Sequence, residues 1–172
     1  GINLDDAEKN VMGKIVGGGL PAAAFGGPRR LMENIAPAGD VYQAGTLSGN
    51  PLAVAAGLAT LRQLDAEAYQ RLNSLTDRLS AGLLELAEDR SLQVASAPGL
   101  ITLFFRQQPV RNFADAVDTD LEAHATFCRL MLDRGIYLPP AQFEAWFVSL
   151  AHDEAAIDET LDAARACLEQ VL

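Results

Sequence analysis

Gly13-Lys14-Ile15-Val16-Gly17-Gly18-Gly19-Leu20-Pro21 is the stretch on which the reading of this chain turns. Lys14 is one of two lysines, Lys9 being the other, while eleven arginines fill the remaining basic positions. Arginine serves any purely electrostatic need but does not shed a proton near neutral pH. A lysine whose pKa is lowered does, and can form a Schiff base with a carbonyl compound. Three glycines close behind Lys14 let backbone approach a bulky ligand with no Cβ in the way. The apolar flanks Val11, Met12, Ile15 and Val16 set this lysine apart from an ordinary surface one. A Walker-type phosphate loop is excluded: Ile15 stands where Ser or Thr must hold magnesium, and Glu8 where the first glycine belongs.

The second informative stretch is Ala44-Gly45-Thr46-Leu47-Ser48-Gly49-Asn50-Pro51. Asn50 followed by Pro51 predicts a helix start, Asn as the cap and Pro in the first turn. A Gly-Thr-x-Ser-Gly turn ahead of that start offers hydroxyls and N–H groups. It is either an ordinary capped turn or a cradle for a phosphate. Together, the lysine and the turn suit a cofactor with an aldehyde at one end and a phosphate at the other, which is the chemistry of pyridoxal phosphate.

Composition narrows the classes of function. With 49% hydrophobic residues the 172-residue chain can build a core. A net charge of −10 argues against nucleic acid and against an anionic membrane surface as partners. No apolar run is long enough for a membrane span and no signal peptide opens the chain, so the expected location is cytoplasmic. Cys128 and Cys167 lack metal-ligand spacing and read as reduced core cysteines; no metal is expected. Eleven of the fourteen glycines lie before residue 58, which divides a tightly turned, site-bearing first third from a regular remainder.

Along the chain, residues 1–10 carry little pattern. Ala22–Phe25 reads as a short buried strand, Pro28–Ile35 as a helix and Val41–Gln43 as an extended piece. An Ala-rich helix is predicted to about Leu64. Leu72, Leu75, Leu79, Leu83 and Leu86 then mark the apolar stripe of a long helix from Ala66 to about Glu88. Leu92–Ala95 and Leu100–Arg106 read as adjacent strands, the second central in its sheet. Pro109–Val117 reads as a loop with a mobile segment, Asp118–Arg134 as a helix ended by Gly135, and Ile136–Leu138 and Trp146–Leu150 as strands. A helix capped by Asp153 closes the chain, with Ile157, Leu161, Ala164, Leu168 and Val171 as its buried stripe. His124 reads as a surface or partly packed residue rather than a ligand, and His152 as a turn residue. Glu144, in Gln142-Phe143-Glu144-Ala145-Trp146-Phe147, is a carboxylate in an aromatic setting, where it should be paired or functional.

The Gly13–Pro21 stretch, Ala24-Phe25-Gly26-Gly27, and Tyr42–Pro51 in this order closely resemble the glutamate-1-semialdehyde 2,1-aminomutases, a group of the class III aminotransferases that use pyridoxal phosphate. The resemblance runs to the end of the chain. It implies an α/β fold: the end of a fold-type I pyridoxal-phosphate transferase large domain over residues 1–65, and a C-terminal α/β small domain over 66–172. It implies Lys14 as catalytic, cofactor-bearing lysine and proton carrier, and Gly45 and Thr46 as cofactor-binding residues. Thr46 would hold the phosphate across a homodimer interface, and Glu144 would lie beside the substrate, glutamate 1-semialdehyde. The implied reaction is intramolecular amino transfer to 5-aminolevulinate, the tetrapyrrole precursor, starting from the pyridoxamine phosphate form.

Two features depart from that group. Its pyridinium-binding aspartate lies on a strand this chain lacks, since Asp5 and Asp6 are too near Lys14, and residues 4–12 lack the usual approach to the lysine. The expectation is therefore a partial enzyme, inactive alone: a fragment, one piece of a split protein or an edited chain. The alternatives are a fragment of a class III ω-aminotransferase, and a non-catalytic dimerisation domain.

Overall fold

The computed structural model describes residues 10–172; Lys9, Asp5 and Asp6 lie outside the described residues. The chain divides into two compact units, one ending at Glu67 and the other running Ala68–Leu172.

In the first unit, β1 (Asn10–Gly13) pairs antiparallel with β2 (Ala23–Gly26), Met12 opposite Ala24 and Gly13 opposite Ala23. Between them lie a 3₁₀ turn, Lys14–Gly17, and a reversal closed by Leu20 N–H donating to Gly17 O at 3.0 Å. The expected strand at Ala22–Phe25 is present, but its residues alternate between exposed and half-buried rather than being buried. The helix expected over Pro28–Ile35 shrinks to α1 (Arg29–Met32). Asn34 Nδ2 donates to the carbonyls of Arg30 and Leu31, and Pro37 disfavours helical backbone at Ala36, so the chain leaves through turns. The extended piece near Val41 is a single parallel bridge to Ile35.

The Ala-rich helix is α2 (Pro51–Leu61), started by Asn50 Oδ1 accepting from Leu52 N–H at 2.9 Å. It packs on the 3₁₀ turn through small residues. A Cβ on Gly57 would run into the carbonyl oxygen of Val16, and one on Gly18, at φ +58°, into the carbonyl of Ala56. The sequence suggested that the glycines after Lys14 clear space for a ligand; within the chain, Gly18 clears space for α2.

The second unit is built on α3 (Ala66–Ala87), whose Leu75, Leu79, Leu83 and Leu86 are buried as their spacing predicts. A three-stranded antiparallel sheet follows in the order β3 (Gln93–Ala97), β4 (Leu100–Phe104), β5 (Trp146–Phe147), with β4 in the centre as expected. Helices α5 (Leu121–Asp133) and α6 (Glu154–Val171) complete it. One core gathers Leu79 and Leu83 of α3, Ile101 and Leu103 of β4, Phe127 and Met131 of α5, Trp146, and Ile157, Cys167 and Leu168 of α6. Asp153 caps α6 by accepting from Ala156 N–H, and His152 Nδ1 accepts from Ser149 N–H within the preceding turn, both as read from sequence.

Three elements of the second unit differ from expectation. The Pro109–Val117 loop contains α4 (Phe113–Val117), capped by Asn112 Oδ1 on Asp115 N–H while Asp115 Oδ2 accepts from Arg111 N–H. The Asn-x-x-Asp spacing was legible in the sequence, although the second bond goes to Arg111 N–H, one residue before the cap, and not to the cap's own amide. Ile136–Leu138 is not a strand. Gly135, at φ +83°, and Ile136 fold back on the end of α5, donating to Leu132 O and Met131 O in a Schellman motif. Pro139 and Pro140 then have no N–H to offer a ladder. β5 is two residues long instead of five.

Candidate functional site

The two motifs that stood apart in the sequence meet in the first unit. An open groove of 630 Å³ is lined by Gly13, Ala22, Ala24 and Phe25 on one side and by Gln43, Gly45, Ser48 and Ala53 on the other. Gly13 is the residue that delivers the chain into the 3₁₀ turn beginning at Lys14. The antiparallel pairing of β1 with β2 and the seating of α2 on that turn hold the groove's two sides together.

The groove's hydroxyl-rich side is a turn over Thr46–Gly49, with Ser48 N–H donating to Gly45 O at 3.0 Å and Asn50 N–H to Leu47 O at 3.1 Å. A Cβ at Gly45 would come within 2.9 Å of Ser48 Oγ, so a glycine keeps this turn tight. Several of the N–H groups that the sequence offers here are engaged. Those of Ser48 and Asn50 close the turn, and that of Leu52 is capped by Asn50. Pro51 has none. An anion would therefore be met by the remaining turn amides and by hydroxyls, with Thr46 exposed at the turn's tip.

α2 itself is apolar on all faces. Ala53 and Gly57 are buried, yet Leu52 is 73% exposed and Val54, Leu58 and Leu61 are also open. Tyr42, ahead of the turn, is 81% exposed. A helix hydrophobic all round belongs in an interior or against a partner.

Glu144 belongs to the second unit. It is exposed, on a turn closed by its own N–H donating to Ala141 O at 3.0 Å. Before it, Gln142 is buried, its Nε2 donating to Leu103 O at 2.9 Å. After Gln142, the Phe143 ring meets that of Phe113 at 5.7 Å between centroids. Glu144 forms no ion pair among the described residues, and its exposure leaves the carboxylate to solvent.

His124 is buried rather than at the surface, 4% exposed, edge-on to Phe105 and 3.5 Å through Nε2 from Cys128 Sγ. Burial lowers the imidazole pKa and raises that of the Cys128 thiol, Arg129 opposing the latter. Both groups are thus neutral at pH 7, and the pair reads as packing. Cys128 and Cys167 are both free thiols. Among the described residues no group of three or more His, Cys, Asp and Glu side chains is placed to hold a metal ion. Likewise, no helix among them is long and apolar enough to cross a membrane.

Compared with known proteins, residues 7–168 match the sequence profile of the family described as "Aminotransferase class-III". The chain is 49% identical over 169 residues to the glutamate-1-semialdehyde 2,1-aminomutase of Desulfitobacterium hafniense strain Y51, covering 96% of this chain and 39% of that protein. It is 52% identical over 161 residues to the enzyme of the same name from Thermus thermophilus, covering 91% and 38%. The chain thus spans about two fifths of the length of these relatives. Among solved structures, an omega-transaminase from Sphaerobacter thermophilus superposes with a TM-score of 0.80 at 26% identity, over 95% of this chain and 39% of that one. A glutamate-1-semialdehyde aminomutase from Pseudomonas aeruginosa PAO1 does so at 0.82 and 22% identity, over 97% and 40%, a likeness of fold.

Proposed function

The chain belongs to the class III aminotransferase family, and from that premise we propose that it is the carboxy-terminal portion of a pyridoxal-phosphate-dependent aminomutase converting glutamate 1-semialdehyde to 5-aminolevulinate. The observation that carries the proposal is the groove joining Gly13, beside Lys14, to the Gly45–Gly49 turn. That the backbone leading into Lys14 borders the same groove as this hydroxyl-bearing turn supports a cofactor with an aldehyde at one end and a phosphate at the other. The names of relatives about half identical to the chain support the same reaction.

Pyridoxal phosphate, when bound, supplies an aldehyde carbon and an electron sink. Lys14 would carry that aldehyde and, once its amine is released, move a proton between carbons of substrate and cofactor. Gly45 and Thr46 would hold the phosphate, Thr46 for the cofactor of a second copy in a homodimer. The exposed apolar faces of α2, continuous in sequence with that turn, supply surface for such a dimer. Glu144 would face the substrate, where a fixed negative charge disfavours binding of a second carboxylate such as a 2-oxo acid. Amino transfer then stays within one molecule. That charge favours the aminomutase over an ω-aminotransferase, which needs a 2-oxo acid partner. Residues 1–65 would form the cofactor-binding part and 66–172 the small domain of a cytoplasmic enzyme.

The test is an absorbance titration of the purified chain with pyridoxal phosphate, then borohydride reduction and peptide mass mapping. The expected result is an imine band and a single reduced adduct on Lys14. An adduct confined to Lys9 would overturn the role of Lys14. Turnover of semialdehyde that depends on added 2-oxo acid, in the chain completed by the length its relatives carry, would favour the ω-aminotransferase.

A further inference from the structure

Along the edge of β4 facing β5, backbone carbonyls point outward at Gly99, Ile101, Leu103 and Phe105, because alternate residues of an antiparallel strand bond to alternate sides. Strand pairing serves only the first part of this edge. Gly99 O accepts from Val148 N–H at 3.0 Å, and Ile101 lies opposite Trp146. β5 begins at Trp146, so nothing from its backbone serves Leu103. Farther on, Phe105 O accepts from Asp120 N–H and Thr119 Oγ1, at the start of α5.

The gap at Leu103 is filled by a side chain. Gln142 is 3% exposed, unusual for a residue whose amide prefers water, and its Nε2 donates to Leu103 O at 2.9 Å. Its Oε1 is buried with no partner among the described residues, so this one bond holds the amide. Two residues later comes Glu144, exposed, its N–H closing the turn on Ala141 O. Phe143 rests on Phe113 of α4, which Arg106 ties down by donating to Asp115 O. The turn is pinned at Gln142 and steadied at Phe143, and it presents the carboxylate between them and β5.

We propose that Gln142 is the positioning residue for Glu144: by replacing the missing strand bond at Leu103, it fixes the place of the carboxylate that faces the substrate. This rests on the reading of Glu144 given above. Gln142 acts through Glu144 and touches no reacting atom. A short β5 is part of the device, since a longer strand would bury the turn in the sheet.

The test uses Gln142→Met, which keeps length and apolar bulk but cannot donate, alongside Glu144→Gln and the double variant, in the enzyme completed by the length its relatives carry. Gln142→Met is expected to raise KM for glutamate 1-semialdehyde about tenfold with a smaller change in kcat. The double variant should resemble Glu144→Gln alone, because two residues acting as a unit are not additive. A Gln142→Met enzyme with unchanged KM beside an impaired Glu144→Gln enzyme overturns the positioning role. A silent Glu144→Gln removes the reading of Glu144 itself, and with it the role of Gln142. Where Gln142→Met does not assemble, Gln142→Leu in the purified 172-residue chain serves: hydrogen exchange at the Glu144 amide should speed up about tenfold while core amides of α5 hold. Unchanged exchange there overturns the proposal.

Discussion

The unit ending at Glu67 and the unit from Ala68 to Leu172 solve the burial problem in opposite ways. The second closes on itself: three helices and a short sheet share one core in which Leu83, Phe127, Met131 and Leu168 are fully buried. The first buries Ala53 and Gly57 and leaves Leu52, Leu58 and Tyr42 in the open. Its cohesion is close backbone approach, turn on helix, through glycine and alanine. Such contacts fix geometry tightly but remove little apolar area from water, so they stabilise little. The first unit is therefore shaped by close backbone contacts, whereas the second is held by a shared apolar core.

The sharpest way to break this contrast is at the second core. Phe127→Ala should cost about 3–5 kcal/mol and lower the denaturation midpoint of the whole second unit, because neighbours on three elements cannot collapse into the space. Next in size is Gly57→Val, which drives a side chain into the carbonyl of Val16. Overpacking of this kind costs about 1–3 kcal/mol. Its expected signature is loss of the borohydride-trapped adduct on Lys14 with no change in the unfolding midpoint of the second unit. A drop in that midpoint would show that the two units are not independent.

A smaller effect concerns pH. Burial lowers the pKa of His124 in the folded chain. The unfolded state therefore takes up this proton first. Stability is full above the ordinary histidine pKa, about 6.5, and falls as pH drops through it toward the lower folded value. Thermal midpoints at pH 7 and pH 5 should differ less in His124→Phe than in the parent. Smallest is the pair of Arg78 with Asp158, bonded at 2.7 and 2.8 Å between α3 and α6 but in open solvent. The guanidinium holds the Asp158 carboxyl below its usual pKa. Its contribution is present above the ordinary carboxylate range and disappears as pH falls through the folded value. Asp158→Asn should barely move the midpoint at pH 7, and less still in acid.

Periodicity made the long helices legible. Leu75, Leu79, Leu83 and Leu86 of α3 and Ile157, Ala164 and Leu168 of α6 are buried as spaced, Leu72 and Leu161 at the stripe margins are half-buried, and the caps Asn50 and Asp153 bond as their positions imply. Short elements were not legible in the same way. Ile136–Leu138 has the residue types of a strand, but the glycine before and the prolines after decide otherwise. From its own helix His124 reads as a surface or partly packed group, and it is buried. Its i+4 neighbour Cys128 was visible in sequence, but the cover supplied by Phe105 came from another strand. Of the site, Lys14 and the Gly45–Thr46 turn stood out by chemistry, while Gln142 stood out only once Leu103 was seen to lack a strand partner.

By itself the sequence determined the rare lysine, the glycine and hydroxyl stretches, the helical stripes and the family resemblance, because these are local patterns or direct residue chemistry. Only the tertiary structure decided that the two motifs share a groove, that Gly18 and Gly57 serve a helix contact, and that β5 stops after two residues. Those outcomes depend on which carbonyls, amides and faces remain unmet after distant segments come together, and no stretch of sequence carries that information alone.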